Sequence, residues 1–331
     1  MRTLYFLLPG TTKPFGGGGL WAELKTIDLA RNICSAEVVT YRQRERDCLF
    51  LEDLLQTTLE NCIFVVSWGF DVPKIVKRLG DYPLIYHAHS AGYRFNLPSK
   101  IPIICVSRNT MGYWGQKSPN SLIYYLPNQI GDEFCNLGLE RDIDVLVQVR
   151  KSSEYLLEKL VPALRSRCNV ELLDGYIEDI AGLFNRSKVY LYDSAEYWAT
   201  SGVTEGFGLP PLEALACGTQ VFSSVNSALA DYLDPGFNCH KISGYSLDYD
   251  MERILKVINS PDRLPLPDSF FEPYRTQSIV DRLQVILADI NEFFDRLPTL
   301  TATIENLTPW RVRKLWMRKT IAKIKRKLFK M

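Results

Sequence analysis

Short apolar runs alternate with amphipathic stretches along the first 130 residues of the chain. The apolar runs are near-continuous, which is typical of strands buried on both faces of a parallel sheet. Strands that alternate with helices predict an α/β, doubly wound domain over residues 1–130. The predicted strands cover 3–8, 36–40, 62–67, 83–87, 102–106 and 122–126, and the predicted helices lie near 20–33, 49–60, 71–80 and 107–115.

A second alternating series begins after residues 127–141, where glycine, asparagine and charged residues interrupt the pattern. It predicts a second doubly wound domain over 131–284, with a cleft between the domains and ligand-binding turns after the strands. A long helix is expected near 275–296, and a helix over 285–308 is expected to complete the first domain. The other strands are predicted at 143–149, 169–173, 187–192 and 219–223, and the other helices near 153–164, 176–185, 209–217, 226–233 and 248–259.

Composition places the chain among ordinary globular proteins, because 46% of its 331 residues are hydrophobic and 23% are charged. Its apolar runs fall short of the ~20 residues that a membrane span needs. The run Met1–Leu8 meets Pro9-Gly10 at once, so a first buried strand is expected rather than a signal peptide. Eight cysteines show neither a CxxC pair nor metal-ligand spacing, which favours a reducing cytoplasm and predicts no metal site.

The end of the chain differs from the rest in charge. Residues 309–331 hold ten Lys/Arg and no Asp/Glu, whereas residues 1–308 hold 29 basic and 38 acidic residues. An apolar stripe of helical spacing runs through these basic residues, and it comprises Trp310, Met317, Ile321, Ile324 and Leu328. The pattern is typical of a helix that lies on an anionic membrane surface. Packing on the chain's own body or on a second copy is the alternative, and nucleic acid is disfavoured because the body is acidic.

The stretch Glu205–Gly218 has the most distinctive local pattern in the chain. Gly206 and Gly208 allow a tight turn or a close approach to a ligand, and a proline then suits the first helical position. A helix N-terminus behind such a turn can bind an anion, with Glu205 in the loop and Glu213 in the first helical turn. The pattern equally allows Glu213 to complement the helix dipole only, and Glu205 to be a solvated loop residue.

The segment Glu205-Gly-Phe-Gly-Leu-Pro-Pro-Leu-Glu213 resembles the Glu-x7-Glu signature of retaining family 4 glycosyltransferases, which have the GT-B fold. Similar segments fall in the expected order at Val106-Ser107, Leu126-Pro-Asn128 and Ala228–Gly236. The similarity is strong from about 143 to 241, looser over 1–130, and absent in the tail. It implies metal-independent transfer of a hexose-type sugar from a nucleotide-sugar, with the donor on the second domain and the acceptor on the first.

The resemblance also implies roles for individual residues. Glu205 would hydrogen-bond the transferred sugar, and Glu213 would accept hydrogen bonds from the ribose hydroxyls. The backbone N–H groups of Phe207, Gly208 and Leu209 would face sugar and phosphate. These preorganised hydrogen-bond donors would stabilise the negative charge that develops on the nucleoside diphosphate in the transition state.

Cations are also expected at the diphosphate. The family carries an arginine after a strand and a lysine about five residues later. Arg150 matches the first, but residue 155 is tyrosine, so Lys151 is the nearest substitute for the second. A solvated strand end is the alternative interpretation of both residues.

The remaining candidates follow other strands. Gly17 and Gly18 belong to a run of four glycines that would approach the diphosphate and acceptor, or would only be a flexible loop. His89, with His87 two residues before it, would face the cleft from a strand end, where structural histidines also occur. Tyr176 and Ile177 follow the strand at 169–173 and would lie against the nucleobase, although Tyr176 could instead fill the core.

These patterns predict a peripheral membrane enzyme of the cytoplasmic face, which moves a sugar from a nucleotide-sugar donor to a glycan or lipid-linked acceptor. The alternative from another class is a non-catalytic nucleotide-sugar-binding or membrane scaffold protein of GT-B fold, since the second family cation is displaced.

Overall fold

The computed structural model describes residues 1–175, 177–260 and 266–328. Two parallel β-sheets, each flanked by helices, form its two halves. The predicted α/β architecture of two doubly wound domains is therefore confirmed.

The first sheet contains every strand that the sequence predicts in the first 130 residues and one further strand. All its neighbouring strands are parallel, as expected for strands joined by helical crossovers. The strands are β1 Thr3–Leu8, β2 Ala36–Thr40, β3 Leu49–Phe50, β4 Cys62–Val66, β5 Leu84–Ala88, β6 Ile103–Cys105 and β7 Ile123–Tyr125. Their spatial order is β3-β2-β1-β4-β5-β6-β7.

The helices of the first half differ from the prediction at two places. The helix predicted over 49–60 is wrong, because Leu49–Phe50 pairs with β2 at the sheet edge and only Leu51–Leu54 is helical. The first helix begins at Gly18 instead of residue 20, so two of the four glycines belong to the helix. The helices are α1 Gly18–Ala30, α2 Leu51–Leu54, α3 Val72–Leu79 and α4 Arg108–Lys117.

The second sheet has the strand order β12-β11-β10-β8-β9, again with parallel neighbours. Its strands are β8 Ile143–Gln148, β9 Val170–Leu173, β10 Ser187–Tyr192, β11 Gln220–Ser223 and β12 His240–Lys241. The sequence did not predict β12, whose two residues are too few to show a periodic pattern.

The helices of the second half carry the turns that follow these strands. The helix predicted at 176–185 begins only at Ile180, and that at 226–233 is a 3-10 helix over Ser227–Asp231. A helix over Ala195–Ser201 was not predicted. The elements are a π-helix Tyr155–Leu160 that continues into α5 Val161–Arg165, then α6 Ile180–Arg186, α7 Ala195–Ser201, α8 Leu209–Ala216, α9 Leu247–Ile258 and α10 Asp268–Phe271.

The chain then returns to the first sheet through α11, which spans Thr276–Arg296. Its buried face, which includes Ile279, Leu283 and Ile290, packs in one core cluster with Leu4 of β1. The long helix near 275–296 is therefore confirmed. The bounds 285–308 for the completing helix are wrong, because residues 300–308 are not helical.

The last helix, α12, spans Pro309–Leu328. Its apolar side chains are exposed, with Trp310 at 70%, Trp316 at 65% and Ile321 at 53%. The described side chains of the stripe therefore do not pack on the chain's own body. No helix within the described residues combines the length and the apolar character that crossing a membrane requires.

Candidate active site

The loop between α7 and α8 contacts the first half of the protein directly. A Cβ atom at Gly206 would lie 1.5 Å from the carbonyl oxygen of His89, so only glycine fits there. Beside it, the Ser90 hydroxyl donates to the carbonyl of Thr204 at 2.7 Å, and the Thr204 N–H donates to the carbonyl of Ala91 at 3.1 Å. Gly208 has a φ of +81°, which favours glycine and turns the chain into α8. These contacts hold the Glu205–Gly208 loop against the end of β5.

Glu205 is a buried carboxylate, 5% exposed, and not a solvated loop residue. Its Oε2 accepts hydrogen bonds from the Tyr192 hydroxyl at 2.6 Å, the Trp198 indole N–H at 2.7 Å and the Ser194 hydroxyl at 3.3 Å. Its Oε1 lies 3.9 Å from the Lys151 ammonium. Three donors on one oxygen fix the side chain and leave the second oxygen directed at a cation.

Both predicted cations lie at this cleft. The Lys151 Nζ lies 4.3 Å from the centre of the Trp198 ring, and burial followed by repulsion from Arg150 lowers the pKa of Lys151 although Glu205 opposes the shift. Arg150 is exposed, and one of its guanidinium nitrogens lies 3.5 Å from where a Cβ of Gly17 would be. The arginine thus meets the glycine turn across the cleft.

Position 155, where the sequence resemblance leads one to expect a lysine, serves the second domain instead. The Tyr155 hydroxyl donates to the buried carboxylate of Asp250 at 2.8 Å. Lys151, at the left-handed φ of +69°, supplies the ammonium group at the cleft from a different backbone position.

The N-terminus of α8 offers unpaired donors. Within the described part of the chain, the N–H groups of Phe207 and Gly208 make no hydrogen bond to protein. The side chain of Phe207 is buried against the rings of Tyr232 and Tyr274, so only its backbone can face a ligand. Leu209 is the first residue of the helix, where the N–H groups lack intrahelical partners. The arrangement can bind an anion.

Glu213 is the fifth residue of α8, so its placement in the first helical turn is wrong. It is only 8% exposed, and burial raises the pKa of its carboxyl to about 7, with Glu133 adding to the shift and Lys25 opposing it. A mere complement to the helix dipole would lie in the first turn. Among the described residues this buried carboxylate has no hydrogen-bond or ion-pair partner, which suits a hydrogen-bonding ligand.

We expect the Glu213→Gln variant to change the pH dependence of folding stability. The raised pKa means that the folded protein binds a proton more tightly than the unfolded chain, whose carboxyl titrates near 4.5. As the pH rises from 4.5 to 7, the free energy of unfolding of the wild type therefore falls by about 3 kcal/mol. The glutamine variant should not show this fall. Urea unfolding at pH 5 and 8 measures the difference, and parallel profiles for the two proteins would contradict it.

Another buried carboxylate, that of Glu23, lies on the first half of the cleft. Oε2 of Glu23, from α1, is 2.5 Å from Nδ1 of His87 and 2.7 Å from Nε2 of His89. Burial would raise the pKa of the Glu23 carboxyl, but the two histidines outweigh it and hold that pKa well below its usual range. Burial and then repulsion from His87 lower the pKa of His89.

Glu23, His87 and His89 are also the group within the described residues whose ligand atoms lie close enough together to hold a metal ion. Their 2.5 and 2.7 Å separations are hydrogen-bond distances, whereas two ligands that each lie about 2.0–2.1 Å from a tetrahedral zinc are roughly 3.3 Å apart. The geometry therefore fits a hydrogen-bonded cluster, and the expectation that no metal is needed stays a prediction.

The structure brings most sequence-predicted site residues to one cleft, with Glu205, Lys151 and Arg150 on one side and Gly17 and His89 on the other. Gly18 is the first residue of α1, and a Cβ there would meet nothing within 4 Å. Ile177 is half-buried against the core of the second domain, and Tyr176 lies outside the described residues. Sequence reasoning missed Glu23, Tyr192 and Trp198. Glu23 alone had a local signal, since it lies on the helix that follows the glycine run.

Comparison with known proteins agrees with this architecture. Residues 142–266 match the family described as glycosyl transferases group 1. The second domain of the chain is thus similar to the group 1 glycosyltransferases, and the two-domain α/β fold is the GT-B fold.

Solved structures support the fold over almost the whole chain. HepE from Anabaena, solved with UDP and glucose, has a TM-score of 0.65 at 15% identity and covers 87% of this chain and 100% of its own. Sucrose-phosphate synthase from Thermosynechococcus elongatus has a TM-score of 0.63 at 13% identity and covers 88% and 100%. Likeness at such low identity shows the fold alone.

A curated relative matches part of the chain. An MMP α-(1→4)-mannosyltransferase from Mycolicibacterium hassiacum is 25% identical over 131 residues, which is 39% of this chain and 30% of the relative. The matching region thus spans about a third of that enzyme.

Proposed function

We propose that this protein is a retaining hexosyltransferase that moves a sugar from a nucleotide-sugar donor to a glycan or lipid-linked acceptor. The observation that carries the proposal is the buried carboxylate of Glu205, which three donors fix beside Lys151. A buried charge held in this way at a cleft between two domains is a costly arrangement in a purely structural role.

The donor would lie along the second domain. The transferred sugar would contact Glu205, the ribose would contact Glu213, and the diphosphate would face the unpaired N–H groups of Phe207 and Gly208. Arg150 and Lys151 would offset the charge of the diphosphate. The similar proteins support a nucleotide-sugar as the donor, because the HepE structure contains UDP and glucose and the curated relative is named a mannosyltransferase.

The reaction would break the bond between the anomeric carbon and the diphosphate oxygen and form a bond to the acceptor oxygen on the same face. The departing phosphate would take the acceptor proton, so no carboxylate nucleophile or metal would be needed. The prepared N–H groups and cations would stabilise the charge that develops on the diphosphate, the kind of contribution that lowers a barrier most.

A thermal-shift panel of UDP, GDP, dTDP and ADP identifies the nucleotide. A ligand that binds only the folded protein stabilises it by about 2.7 kcal/mol at a hundredfold excess over its Kd. Nucleotide release from the corresponding nucleotide-sugars, with and without a crude glycan or lipid acceptor extract, then tests for transfer.

One observation favours a second candidate, a non-catalytic nucleotide-sugar-binding or membrane scaffold protein. The residue at position 155 is a tyrosine bonded to Asp250 rather than a lysine at the cleft. Tight nucleotide binding with no turnover of any donor would support the scaffold and contradict the transferase.

The exposed helix α12 supports a peripheral position on the cytoplasmic face of a membrane. Within the described part of α12, the apolar side chains of the stripe and most of the basic side chains are exposed. Anionic lipid attracts such a helix through both features. A lipid-linked acceptor would then lie within reach of the cleft.

Deletion of residues 309–331 is expected to abolish sedimentation with anionic vesicles while nucleotide release stays unchanged. If four of its ten basic residues reach the lipid at about 1 kcal/mol each, the partition coefficient falls roughly a thousandfold. Neutral vesicles provide the control, since the intact protein should bind them far more weakly. Equal binding of anionic vesicles by the intact and the truncated protein would exclude the membrane role.

A further inference from the structure

Glu23 connects two histidines at the end of β5 to the helix that follows the glycine run. It is 1% exposed, and the rings of His87 and His89 lie 4.4 Å apart on the same carboxylate oxygen. The carbonyl of His89 in turn abuts Gly206 of the Glu205–Gly208 loop. The cluster of Glu23, His87 and His89 therefore lies directly beside the Glu205–Gly208 loop at the cleft.

The chemistry of the carboxylate determines where the ring protons lie. An ionised carboxylate is only an acceptor, so Nδ1 of His87 and Nε2 of His89 must both donate to Glu23. A neutral imidazole has one N–H group, which leaves Nδ1 of His89 without a proton and with a lone pair to accept a hydrogen bond.

Nδ1 of His89 is also accessible. The His89 side chain is 14% exposed, and within the described residues Nδ1 has no hydrogen-bond partner and is not among the fully buried unpaired atoms. By contrast, Nε2 of His87 is fully buried and unpaired. The two histidines therefore differ in role, since His87 helps to fix Glu23 while His89 reaches the cleft.

We propose that Glu23 is a positioning residue that fixes His89 in its Nε2–H tautomer, so that Nδ1 accepts a hydrogen bond from a sugar hydroxyl in the cleft. This proposal rests on the proposed function for the identity of the ligand, but the tautomer itself is independent of any ligand. A merely structural Glu23 would stabilise the first domain without controlling which nitrogen of His89 carries the proton.

Nitrogen NMR of protein with labelled histidine rings tests the tautomer directly at neutral pH. The chain has three histidines, so His89→Gln and His240→Gln variants assign all the ring signals. We expect His89 to be protonated at Nε2 and unprotonated at Nδ1 in the wild type. In Glu23→Gln the amide both donates and accepts, so the two tautomers of His89 should mix. An Nδ1–H tautomer in the wild type, or an unchanged tautomer in the variant, would overturn the proposal.

Kinetics then test the role of the tautomer. Mixing of the tautomers should lower kcat in proportion to the fraction of His89 that loses its Nδ1 acceptor, up to about tenfold in Glu23→Gln, with the donor KM within about twofold. Asp28→Asn is the matched control, because Asp28 lies on the same helix in an exposed pair with Arg31, and it should change neither kcat nor the ring signals. A Glu23→Gln variant that loses only thermal stability, with unchanged kcat, would make Glu23 structural.

The two proposals fail in different ways. If the wild type shows no turnover with any donor, the transferase function fails, yet the NMR result still decides the tautomer. If transfer occurs and the wild-type tautomer is Nδ1–H, only the role of Glu23 fails.

Discussion

Replacement of Gly206 by alanine is expected to lower sugar transfer by at least about a hundredfold. The new Cβ would lie 1.5 Å from the carbonyl oxygen of His89, and a backbone atom cannot yield as a flexible side chain can. The loop must therefore move away from β5, which breaks the hydrogen bonds between Thr204 and residues 90–91. A displacement of about 1 Å at a reacting centre costs roughly a hundredfold in rate.

Initial rates of nucleotide release at saturating donor measure this effect. Gly112→Ala is the matched control, because Gly112 lies inside α4 and a Cβ there meets nothing within 4 Å. That substitution should leave the rate unchanged and stabilise the protein by about 0.5–1 kcal/mol, as alanine does in a helix. Full activity of Gly206→Ala would mean that the contact between loop and strand is dispensable.

Replacement of Glu205 by glutamine is expected to reduce kcat about a hundredfold and to leave nucleotide affinity nearly unchanged. Glutamine keeps an oxygen for the Tyr192 and Trp198 donors, so the loop should fold, but the negative charge beside Lys151 disappears. The transferred sugar would lose its positioning contact, whereas the nucleotide would keep its contacts at α8. An interaction made with the reacting group lowers kcat more than ground-state binding.

Isothermal titration with the nucleotide and steady-state kinetics together separate the two effects. Glu252→Gln provides the control, since Glu252 is an exposed residue of α9 and its neutralisation should change neither quantity. An unchanged kcat in Glu205→Gln would exclude a role for the carboxylate in transfer. A parallel loss of nucleotide affinity would instead place Glu205 in the nucleotide site.

Contacts across the cleft explain why both halves of the chain matter for these effects. Asp231 of the 3-10 helix accepts a hydrogen bond from the backbone N–H of Arg108 at the start of α4. Gly92 has a φ of +96°, and a Cβ there would meet the carbonyl of Gly202 at 2.9 Å. Close backbone contacts of this kind fix the two rims of the site relative to each other.

The site residues that the sequence revealed all lie in local patterns. Each of these residues follows a strand or opens a helix, and such positions can be recognised from the residues nearby in the sequence. They are the segment from Glu205 to Glu213, the pair Arg150 and Lys151, and His89. Glu23, Tyr192 and Trp198 were missed because a single glutamate in a helix or an aromatic residue in a strand has many ordinary explanations. Only the folded chain shows that Tyr192 and Trp198 donate hydrogen bonds to Glu205 and that Glu23 bridges the two histidines.

By itself the sequence determined the two parallel sheets, the glycine turns and the basic end of the chain, because side-chain periodicity and glycine placement act over a few residues. The tertiary structure decided which side chains meet and in what charge state. Burial raises the pKa of Glu213, three donors fix Glu205, and Glu23 determines the protons of two histidines. Desolvation and hydrogen bonding depend on residues far apart in the chain, so no local pattern could contain them.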